Sequence, residues 1–552
     1  MVGARDVIQA EPPKAHPLRE PHPARRILKH AFIAGFAGFF YAFVALRLAP
    51  GFIASAVSVF HFAIGRRVAS GDLVPSMVER LPWTIFADMP VDHYWGYHLL
   101  LGFFALIDGG EFGMKLASAF FFGALFACLG GVLALFRVRL AAAWALMACF
   151  MPSQDWRYLM LRGEQWIVAL ALLVCAVAFG VRTRATRRIL LLVIAYVAML
   201  SYYGAVFLLP FHVAGVAALF IAERRGIVEN DSSLPSAREL LWEPLFTLAG
   251  LALGLTLSPY MDARASTWRL AHLHLFQMAT DARNLYGEQE VSEYDPFPLE
   301  MLLERPIWAA LLVALLAGLA WLVMQAKRGA KLRRDEILAA AFAVTGLVLT
   351  AGIVRMREYG VPMAILFLAV LSKRSSGVLD LWWSRNAPRI SPNVVRLALF
   401  VGIFLALVGR APQTGDRLHW HLPIHQYEGA RDILVANGTR PILNISEADC
   451  GTLLWQYEDA VCVQGLSRYF IEENSLFRQD LWELQWREDG PDEIPDIVDR
   501  FYARGVRLMA THWMHVMERY AQAHPERFER VFQSADEDVA IWRLLPNDDV
   551  RR

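Results

Sequence analysis

Residues 71–106 are the part of the chain whose side chains most directly suggest chemistry, with the sequence GDLVPSMVERLPWTIFADMPVDHYWGYHLLLGFFAL. The segment contains Asp72, Asp92, His93 and His98 and then continues into an apolar stretch. Asp and His side chains can transfer protons or hold a divalent cation, and they are costly in hydrocarbon unless a site requires them. We therefore predict chemistry at a membrane surface in this segment.

The spacing of these side chains leaves two interpretations open. Asp92 and His98 are six positions apart, and His93 and His98 are five apart, so neither pair shares one face of a helix. A preformed helical metal site is therefore weakly supported, and Asp92 could instead accept amide hydrogens at the start of a helix. Asp72 follows a glycine and could equally be an ordinary turn residue.

The composition indicates a membrane protein with several transmembrane helices. The 552 residues are 56% hydrophobic and 19% charged, which is unlike a soluble enzyme. The net charge is +1 and the basic residues are dispersed, so nothing points to a nucleic-acid partner. The informative charges are therefore local ones.

Apolar runs of suitable length predict about eleven transmembrane helices. They cover residues 28–49, 112–136, 139–152, 164–181, 189–203, 204–222, 243–260, 306–325, 336–354, 359–372 and 393–410. Basic clusters alternate between these runs, at residues 25–29, 137–139, 182–188, 224–225, 327–334 and 373–374. The positive-inside rule places all of these clusters in the cytoplasm.

This assignment requires that the apolar residues 97–106 do not cross the membrane, because a crossing would reverse every later loop. We predict an interfacial or re-entrant helix there. The N-terminus is then cytoplasmic and the C-terminus external, in a multi-pass protein of the cytoplasmic (inner) membrane. No cleavable signal peptide is predicted, because a long Pro-rich charged segment precedes the first apolar run. The predicted divisions are a tail at 1–27, a transmembrane domain at 28–410 with an external loop at 50–111, and an extracytoplasmic domain at 411–552.

Arginines on the predicted external face are candidates for binding an anion. Arg355 and Arg357 break the positive-inside pattern, and the planar guanidinium suits a pair of phosphate oxygens. The alternative is an internal ion pair with Glu358. Arg162 admits the same two interpretations, because Glu164 is close in sequence. The cytoplasmic loops carry no Gly-rich nucleotide-binding pattern, so a nucleotide-driven pump is not expected.

The last part of the chain alternates strand-like and helix-like segments and predicts a small α/β domain with a mainly parallel sheet. The strand-like segments are PILNIS, VCVQGL, VRLMATH and a final pair around VFQSA and VAIWRLL. Cys450 and Cys462 fall in this domain, where an external oxidising compartment would allow a disulfide. Two reduced buried cysteines are the alternative.

Three segments together resemble the GT-C superfamily of membrane glycosyltransferases, such as protein mannosyltransferases and aminoarabinose lipid A transferases. They are EFGMKLASAFFFGALFACLGGVLALFRVR, RGEQWIVALALLVCAVAFGVRTR and REYGVPMAILFLAVL, which follow a first span and a long acidic loop. The resemblance covers most of residues 28–410, and the α/β tail is also similar to the domain that many members carry. It implies transfer of a sugar from a polyprenyl-phosphate carrier on the external side, with an acid in the first external loop as base or metal ligand.

Residue by residue, Gly71 and Asp72 look like the family's Gly-Asp turn. Residues 92–98 look like the element that leads into the membrane, residues 357–362 resemble its Arg-plus-Pro segment, and residues 162–166 resemble the external start of a span. The chain departs from the family pattern because no carboxylate lies between the first span and Asp72. Either Asp72 or Asp92 has taken the role of the acid, or the chain is not catalytically competent.

The leading hypothesis is an inverting glycosyltransferase of the cell envelope that uses a polyprenyl-phosphate-linked sugar and a glycan, lipid or protein acceptor. Asp72 and Asp92 are the candidate catalytic acids and also the candidate ligands of a divalent metal ion, which would help to neutralise the leaving phosphate. The candidate substrate-binding residues are His93, His98, Arg162, Arg355 and Arg357. The competing hypothesis is a non-catalytic membrane component of envelope polysaccharide assembly or export. A secondary transporter ranks third, because the sequence shows no internal repeat.

Overall fold

The computed structural model describes residues 23–75, 92, 94–151, 154–229, 234–260, 305–352, 356–386, 391–419, 423–463, 480–481, 483–484, 494–512 and 515–546. Within these ranges a helical bundle is followed by a small α/β unit. The predictions for His93 and Arg355 lie outside the described residues.

The bundle is built from helices that coincide with the predicted apolar runs, together with several short ones. The helices are α1 (Pro23–Arg47), α2 (Ala56–Ala69), α3 (Trp95–Ile107), α4 (Glu111–Leu135), α5 (Ala141–Met147), α6 (Gln154–Leu159), α7 (Gly163–Gly180), α8 (Arg184–Ser201), α9 (Leu208–Arg224), α10 (Ala237–Leu240), α11 (Glu243–Thr256), α12 (Pro306–Lys327), α13 (Arg334–Gly352), α14 (Arg357–Asn386), α15 (Pro392–Gly409) and α16 (Ala411–Leu418). Short 3-10 turns at Ala148–Phe150 and Tyr203–Phe207 extend α5 and precede α9.

Seven helical segments in the described ranges are long and apolar enough to cross a membrane. The predicted count of eleven spans is therefore not confirmed, although every predicted run contains a helix. Part of the difference arises because α5 has 7 residues and α11 has 14, both shorter than the roughly 20 residues that span the hydrocarbon core. The other two helices that are not among the seven are α8, whose 18 residues include three arginines, and α14.

Helices α1 and α4 are antiparallel neighbours. A Cβ atom on Gly35 would lie only 2.8 Å from Cβ of Ala127, so the absence of a side chain there permits close packing of the two helices. At the end of the pair, the Gly51 amide donates to Glu111 Oε1 at 2.9 Å. The segment between α1 and α4 therefore leaves and returns at the same end of the bundle. This agrees with the prediction that residues 97–106 do not cross.

Several of the basic loops meet at the opposite end of the bundle. Lys373 in α14 donates to the carbonyl of Phe136 at 2.6 Å, and Arg334 Nε lies 3.2 Å from Glu223 Oε1. The first contact joins the loop after α4 to the middle of α14, and the second joins the start of α13 to the end of α9. Arg374 in α14 also contacts Glu336 at the start of α13. The sequence-based grouping of these basic clusters on one side is consistent with this geometry.

The α/β unit contains a sheet of five strands in the order β2-β1-β3-β5-β4. The strands are β1 (Pro441–Asn444), β2 (Val461–Cys462), β3 (Leu508–His512), β4 (Phe528–Gln533) and β5 (Val539–Leu544). The helices are α17 (Arg431–Asn437), α18 (Glu447–Gln456), α19 (Ile494–Ala503) and α20 (Val516–Ala523). Strands β1, β2 and β3 are parallel, and β4 and β5 form an antiparallel pair beside β3. The strand-like segments form strands in the predicted order along the chain. The sheet is mixed, with two parallel and two antiparallel pairings, so the prediction of a mainly parallel sheet is correct only for β1, β2 and β3. The short connection between β4 and β5 makes an antiparallel hairpin.

Residues 50–111 are predicted as a loop, but they contain the helix α2 in addition to α3. The polar residues Ser58 and His61 interrupt its apolar pattern, yet both are buried, with 0% and 1% of their surface exposed. A helix that is covered on two sides lacks the single apolar face by which amphipathic helices are recognised.

Candidate functional site

Three buried side chains form a hydrogen-bonded chain between α2 and α3. Asp92 Oδ2 lies 2.6 Å from His98 Nδ1, and His98 Nε2 lies 2.8 Å from His61 Nδ1. The exposed fractions of Asp92, His98 and His61 are 1%, 0% and 1%. A carboxylate followed by two imidazoles is an arrangement that can accept or relay a proton.

Local structure places Asp92 where it can serve both of its predicted roles. It precedes α3, and its Oδ1 accepts the amide hydrogen of Tyr94 at 2.9 Å, which satisfies a donor at the start of the helix. Its Oδ2 is then directed at His98, one turn into α3. Asp92 therefore satisfies a donor at the start of α3 and also contacts His98.

The carboxylate of Asp92 determines which ring nitrogen of His98 and of His61 carries a proton. An ionised Asp92 can only accept, so His98 Nδ1 donates to it, and neutral His98 then presents a bare Nε2. That nitrogen accepts a hydrogen bond from Nδ1 of His61, which makes Nε2 the basic nitrogen of His61. This proton assignment follows from the hydrogen-bond network. The basic end of the chain therefore lies on α2.

Aromatic rings connect this chain to the start of α7. The Tyr94 ring lies 4.4 Å from the His61 ring and stacks on Tyr202 at 5.1 Å. The Tyr202 hydroxyl donates to Glu164 Oε1 at 3.0 Å. A Cβ atom on Gly163 would lie 3.1 Å from the Tyr94 ring, so the first residues of α7 approach the ring closely. Arg162 immediately precedes this contact.

A buried ion pair attaches the start of α14 to the same region. Arg157 Nε donates to Glu358 Oε1 at 2.6 Å, and the Tyr158 hydroxyl donates to the Glu358 carbonyl at 3.0 Å. Burial raises the pKa of Tyr158 well above its usual value, Glu358 raises it further, and Arg157 and Arg357 act to lower it. Arg357 therefore lies within electrostatic range of this pair.

One further hydrogen bond joins α2 to the segment between α6 and α7. The Leu161 amide donates to Ser58 Oγ at 2.9 Å, one turn of α2 before His61. The bond fixes the rotation of α2 relative to the residues that lead into Arg162. Elements that are distant in sequence are thus gathered at one end of the bundle.

Of the predicted site residues, the structure brings Asp92, His98, Arg162 and Arg357 into this region. Asp72 is elsewhere, because its Oδ2 accepts from Nη2 and Nε of Arg67 at 2.6 and 3.0 Å beyond the end of α2. Arg157, which lies in the same region, donates to the carboxylate of Glu358, which comes 201 residues later in the chain.

His61 was not predicted as a site residue. The only sequence signal for it is a histidine within a largely apolar run, with a serine three residues earlier. That signal is common in buried helices, and only the contact with His98 distinguishes it.

The residues considered for a metal ion do not form a shared site. Asp72 is bonded to Arg67, whereas Asp92 is bonded to His98 and to the Tyr94 amide. Among the residues that the structure describes, no group of three or more His, Cys, Asp or Glu side chains is arranged to hold a metal ion. Asp72 and Asp92 therefore do not fit a shared metal site.

The α/β unit contains a disulfide bond between Cys450 in α18 and Cys462 in β2, with a Cα–Cα distance of 5.8 Å. The three other cysteines, Cys128, Cys149 and Cys175, are not disulfide-bonded.

The apolar helices that are long enough to cross a membrane, together with the attached α/β unit, form the architecture of a polytopic membrane protein. Among solved structures, the chain is similar to the oligosaccharyltransferase of Archaeoglobus fulgidus in the apo form, with 12% identity, a TM-score of 0.53, and coverage of 90% of this chain and 70% of that one. The same enzyme tethered to an acceptor peptide containing the NVT sequon gives 12% identity, a TM-score of 0.51, and coverage of 94% and 74%. The archaeal oligosaccharyltransferase AglB from Archaeoglobus fulgidus in complex with an inhibitory peptide and a dolichol-phosphate gives 13% identity, a TM-score of 0.51, and coverage of 93% of this chain and 74% of that one.

At this level of identity the likeness establishes the fold. Comparison with protein-family models and with curated protein sequences finds no match.

Proposed function

We propose that the protein is a glycosyltransferase that moves a sugar from a polyprenyl-phosphate carrier to an acceptor. The observation that carries the proposal is the buried Asp92–His98–His61 chain, which lies beside the arginine-bearing starts of α7 and α14. The shared fold supports it, because a relative with this fold has been solved with a dolichol-phosphate and with an acceptor peptide.

In the proposed step, an oxygen or nitrogen of the acceptor attacks C1 of the sugar. The bond between C1 and the phosphate oxygen breaks, and the polyprenyl phosphate leaves with the electron pair. The acceptor proton moves to Nε2 of His61, while the carboxylate of Asp92 stabilises the positive charge that develops on the imidazoles. A single displacement of this kind inverts the configuration at C1.

The arginines of the site have a separate proposed role. Arg162 and Arg357 would bind the phosphate oxygens and stabilise the charge that accumulates as the carrier leaves. Arg157 is already bonded to Glu358 at 2.6 Å, so its role is to hold α6 against α14. Arg355 and His93 are also proposed to bind the substrate.

The orientation is part of the proposal. The site lies at the end of the bundle opposite the basic loops around Lys373 and Arg334. The positive-inside rule places that end on the external face of the cytoplasmic membrane. The acceptor would then be a glycan, lipid or protein of the cell envelope.

The direct test is sugar transfer by the purified full-length protein in proteoliposomes. A panel of radiolabelled polyprenyl-phosphate sugars serves as donors, and extracted envelope lipids, glycans and sequon-bearing peptides serve as acceptors. We expect label in one acceptor fraction, loss of transfer for His98→Gln, and retention for the matched variant His524→Gln, whose histidine is exposed in the α/β unit.

Two outcomes would contradict the proposal. Saturable donor binding by the unsubstituted protein, without transfer to any acceptor fraction, would favour the non-catalytic assembly component. Equal transfer by the His98 and His524 variants would remove the hydrogen-bonded chain from the mechanism.

A further inference from the structure

Helix α2 is shared between the membrane bundle and the α/β unit. Phe60, Ala63 and Ile64 on one side of the helix belong to the same buried core as Tyr427 and Leu453 of the α/β unit. Their exposed fractions are 3%, 2% and 1%. This side of α2 is therefore an internal part of the α/β unit.

The last turn of α2 is fixed to the α/β unit by charges. Arg66 Nη2 lies 2.7 Å from Glu458 Oε1, and Arg67 Nη1 lies 3.0 Å from Asp459 Oδ1. Arg66 also donates to the carbonyl of Trp455 at 3.1 Å, and its guanidinium lies 5.1 Å from the centre of the Trp455 ring. The two arginines therefore contact three residues of one short segment, Trp455, Glu458 and Asp459.

That segment is closed by the disulfide bond. Residues 450–462, which we name the disulfide loop, contain Trp455, Glu458 and Asp459 between the two bonded cysteines. Closing a loop of this length restricts its conformations strongly. The carboxylates that hold the arginines are thus held in turn by a covalent bond.

The other side of α2 presents His61 to the polar site. Five residues before Arg66, His61 Nδ1 lies 2.8 Å from His98 Nε2. Between them, Gly65 packs against α3, where a Cβ atom would lie 2.7 Å from Cβ of Leu101. Helix α2 moves as a rigid element, so a shift or rotation at Arg66 also displaces His61. Such a displacement would lengthen the hydrogen bond between His61 and His98.

We infer that the disulfide loop positions His61 for catalysis through α2, with Arg66 and Arg67 as positioning residues. The inference rests on the proposed function of the Asp92–His98–His61 chain. It also assigns a role to Asp72, which holds Arg67 at 2.6 Å while that arginine contacts Asp459. Asp72 then serves the geometry of the site without touching the substrate.

The first test separates positioning from stability. The double variant Arg66→Gln/Arg67→Gln is compared with Arg500→Gln, which removes the Arg500–Asp480 ion pair elsewhere in the same unit. For the double variant we expect kcat to fall about 10- to 100-fold, because misplacement of a reacting group by about 1 Å has effects of this size. The donor KM should change little, and the control variant should keep its kcat.

Charge reversal provides the rescue. Arg66→Glu should lower kcat, and combining it with Glu458→Arg should restore most of it if the contact between α2 and the disulfide loop is what matters. A kcat for the double glutamine variant equal to that of the Arg500 control would overturn the inference, as would a failure of the reversed pair to recover any activity.

The second test does not depend on activity. Hydrogen exchange is measured for peptides covering α2, α3 and α4 in the intact protein, before and after reduction of the disulfide. We expect faster exchange in α2 and at the start of α3, and no change in α4. Unchanged exchange in both α2 and α3 would refute the coupling even if the protein transfers sugar, whereas absence of any transfer by the unsubstituted protein would refute the proposed function instead.

Discussion

The most informative single substitution is Asp92→Asn, because it keeps the size of the side chain and changes only its proton chemistry. Asp92 accepts hydrogen bonds from the Tyr94 amide at 2.9 Å and from His98 Nδ1 at 2.6 Å. The asparagine oxygen can still serve Tyr94, but its amide group then faces His98 as a donor. His98 must accept there, carry its proton on Nε2 and donate to His61 Nδ1. His61 consequently holds its own proton on Nε2 and can no longer act as the base.

The size of the effect follows from the role that is lost. A positioned general base contributes about 10²–10⁴-fold to a rate. At 1.36 kcal/mol for each factor of ten, this corresponds to about 3–5 kcal/mol of transition-state stabilisation. The donor KM should remain nearly constant, because in this mechanism the carboxylate stabilises the proton acceptor and the arginines bind the phosphate.

Asp72→Asn is the matched control. Asp72 is paired with Arg67 and its side chain is 34% exposed. The asparagine oxygen can still accept from Arg67 and keep it in place, so the amide substitution should lower kcat by no more than about threefold. Both variants are assayed for sugar transfer in proteoliposomes, after gel filtration and circular dichroism show that they are folded. A large loss for Asp72→Asn with full activity for Asp92→Asn would reverse the assignment of the acid. Full activity in both variants would remove the carboxylates from the mechanism.

Three further predictions concern stability. Cys462→Ser should destabilise the α/β unit by about 3 kcal/mol, from the loop-closure entropy of a bond that spans 12 positions, measured by chemical denaturation. Arg157→Ala should destabilise the bundle by about 3–5 kcal/mol in thermal unfolding, because it leaves the carboxylate of Glu358 buried without its ionic partner. Burial acts to lower the pKa of His512, but the charge and hydrogen bond of Asp449 outweigh it, so the pKa stands above 6.5. The stabilisation from protonated His512 should therefore be complete below about pH 6.5 and be lost as the pH rises through the folded-state pKa.

Each of these predictions has a control. Reduction of the unsubstituted protein should reproduce the effect of Cys462→Ser, and a serine variant as stable as the oxidised protein would contradict the estimate. Arg543→Ala removes an exposed ion pair, at 51% and 52% side-chain exposure, and should change stability little. For the pH dependence, the stability difference between the unsubstituted protein and His512→Gln should shrink from pH 6 to pH 9. A difference that grows over this range would show that the sign is wrong.

Much of the fold could be predicted because it depends on local pattern. Apolar runs mark the positions of α1, α4, α7, α9, α12, α13 and α15, which are the elements with lengths suited to a bilayer. In the α/β unit, alternating strand-like and helix-like segments predict the strands in the correct order. The number of spans could not be predicted as well, because hydrophobicity does not show where a helix ends, and the helical segment Ala141–Phe150 ends before it is long enough to cross a membrane.

The candidate site could be predicted only in part. Asp92 and His98 stand out by residue type and position beside an apolar segment. His61 does not, because its partner lies 37 residues away and sequence spacing does not indicate which side of α2 faces α3. The same limitation applies to Arg157, whose carboxylate partner Glu358 comes 201 residues later in the chain.

The sequence by itself therefore determined the class of protein, the end of the bundle at which the basic loops meet, and the two acids that could carry the chemistry. Hydrophobic periodicity and charge distribution are local properties, so they can be recognised without coordinates. Only the tertiary structure distinguished Asp92 from Asp72, because the distinction depends on which side chains they contact. Asp92 contacts a buried pair of hydrogen-bonded histidines, whereas Asp72 contacts Arg67, which is paired with the disulfide loop.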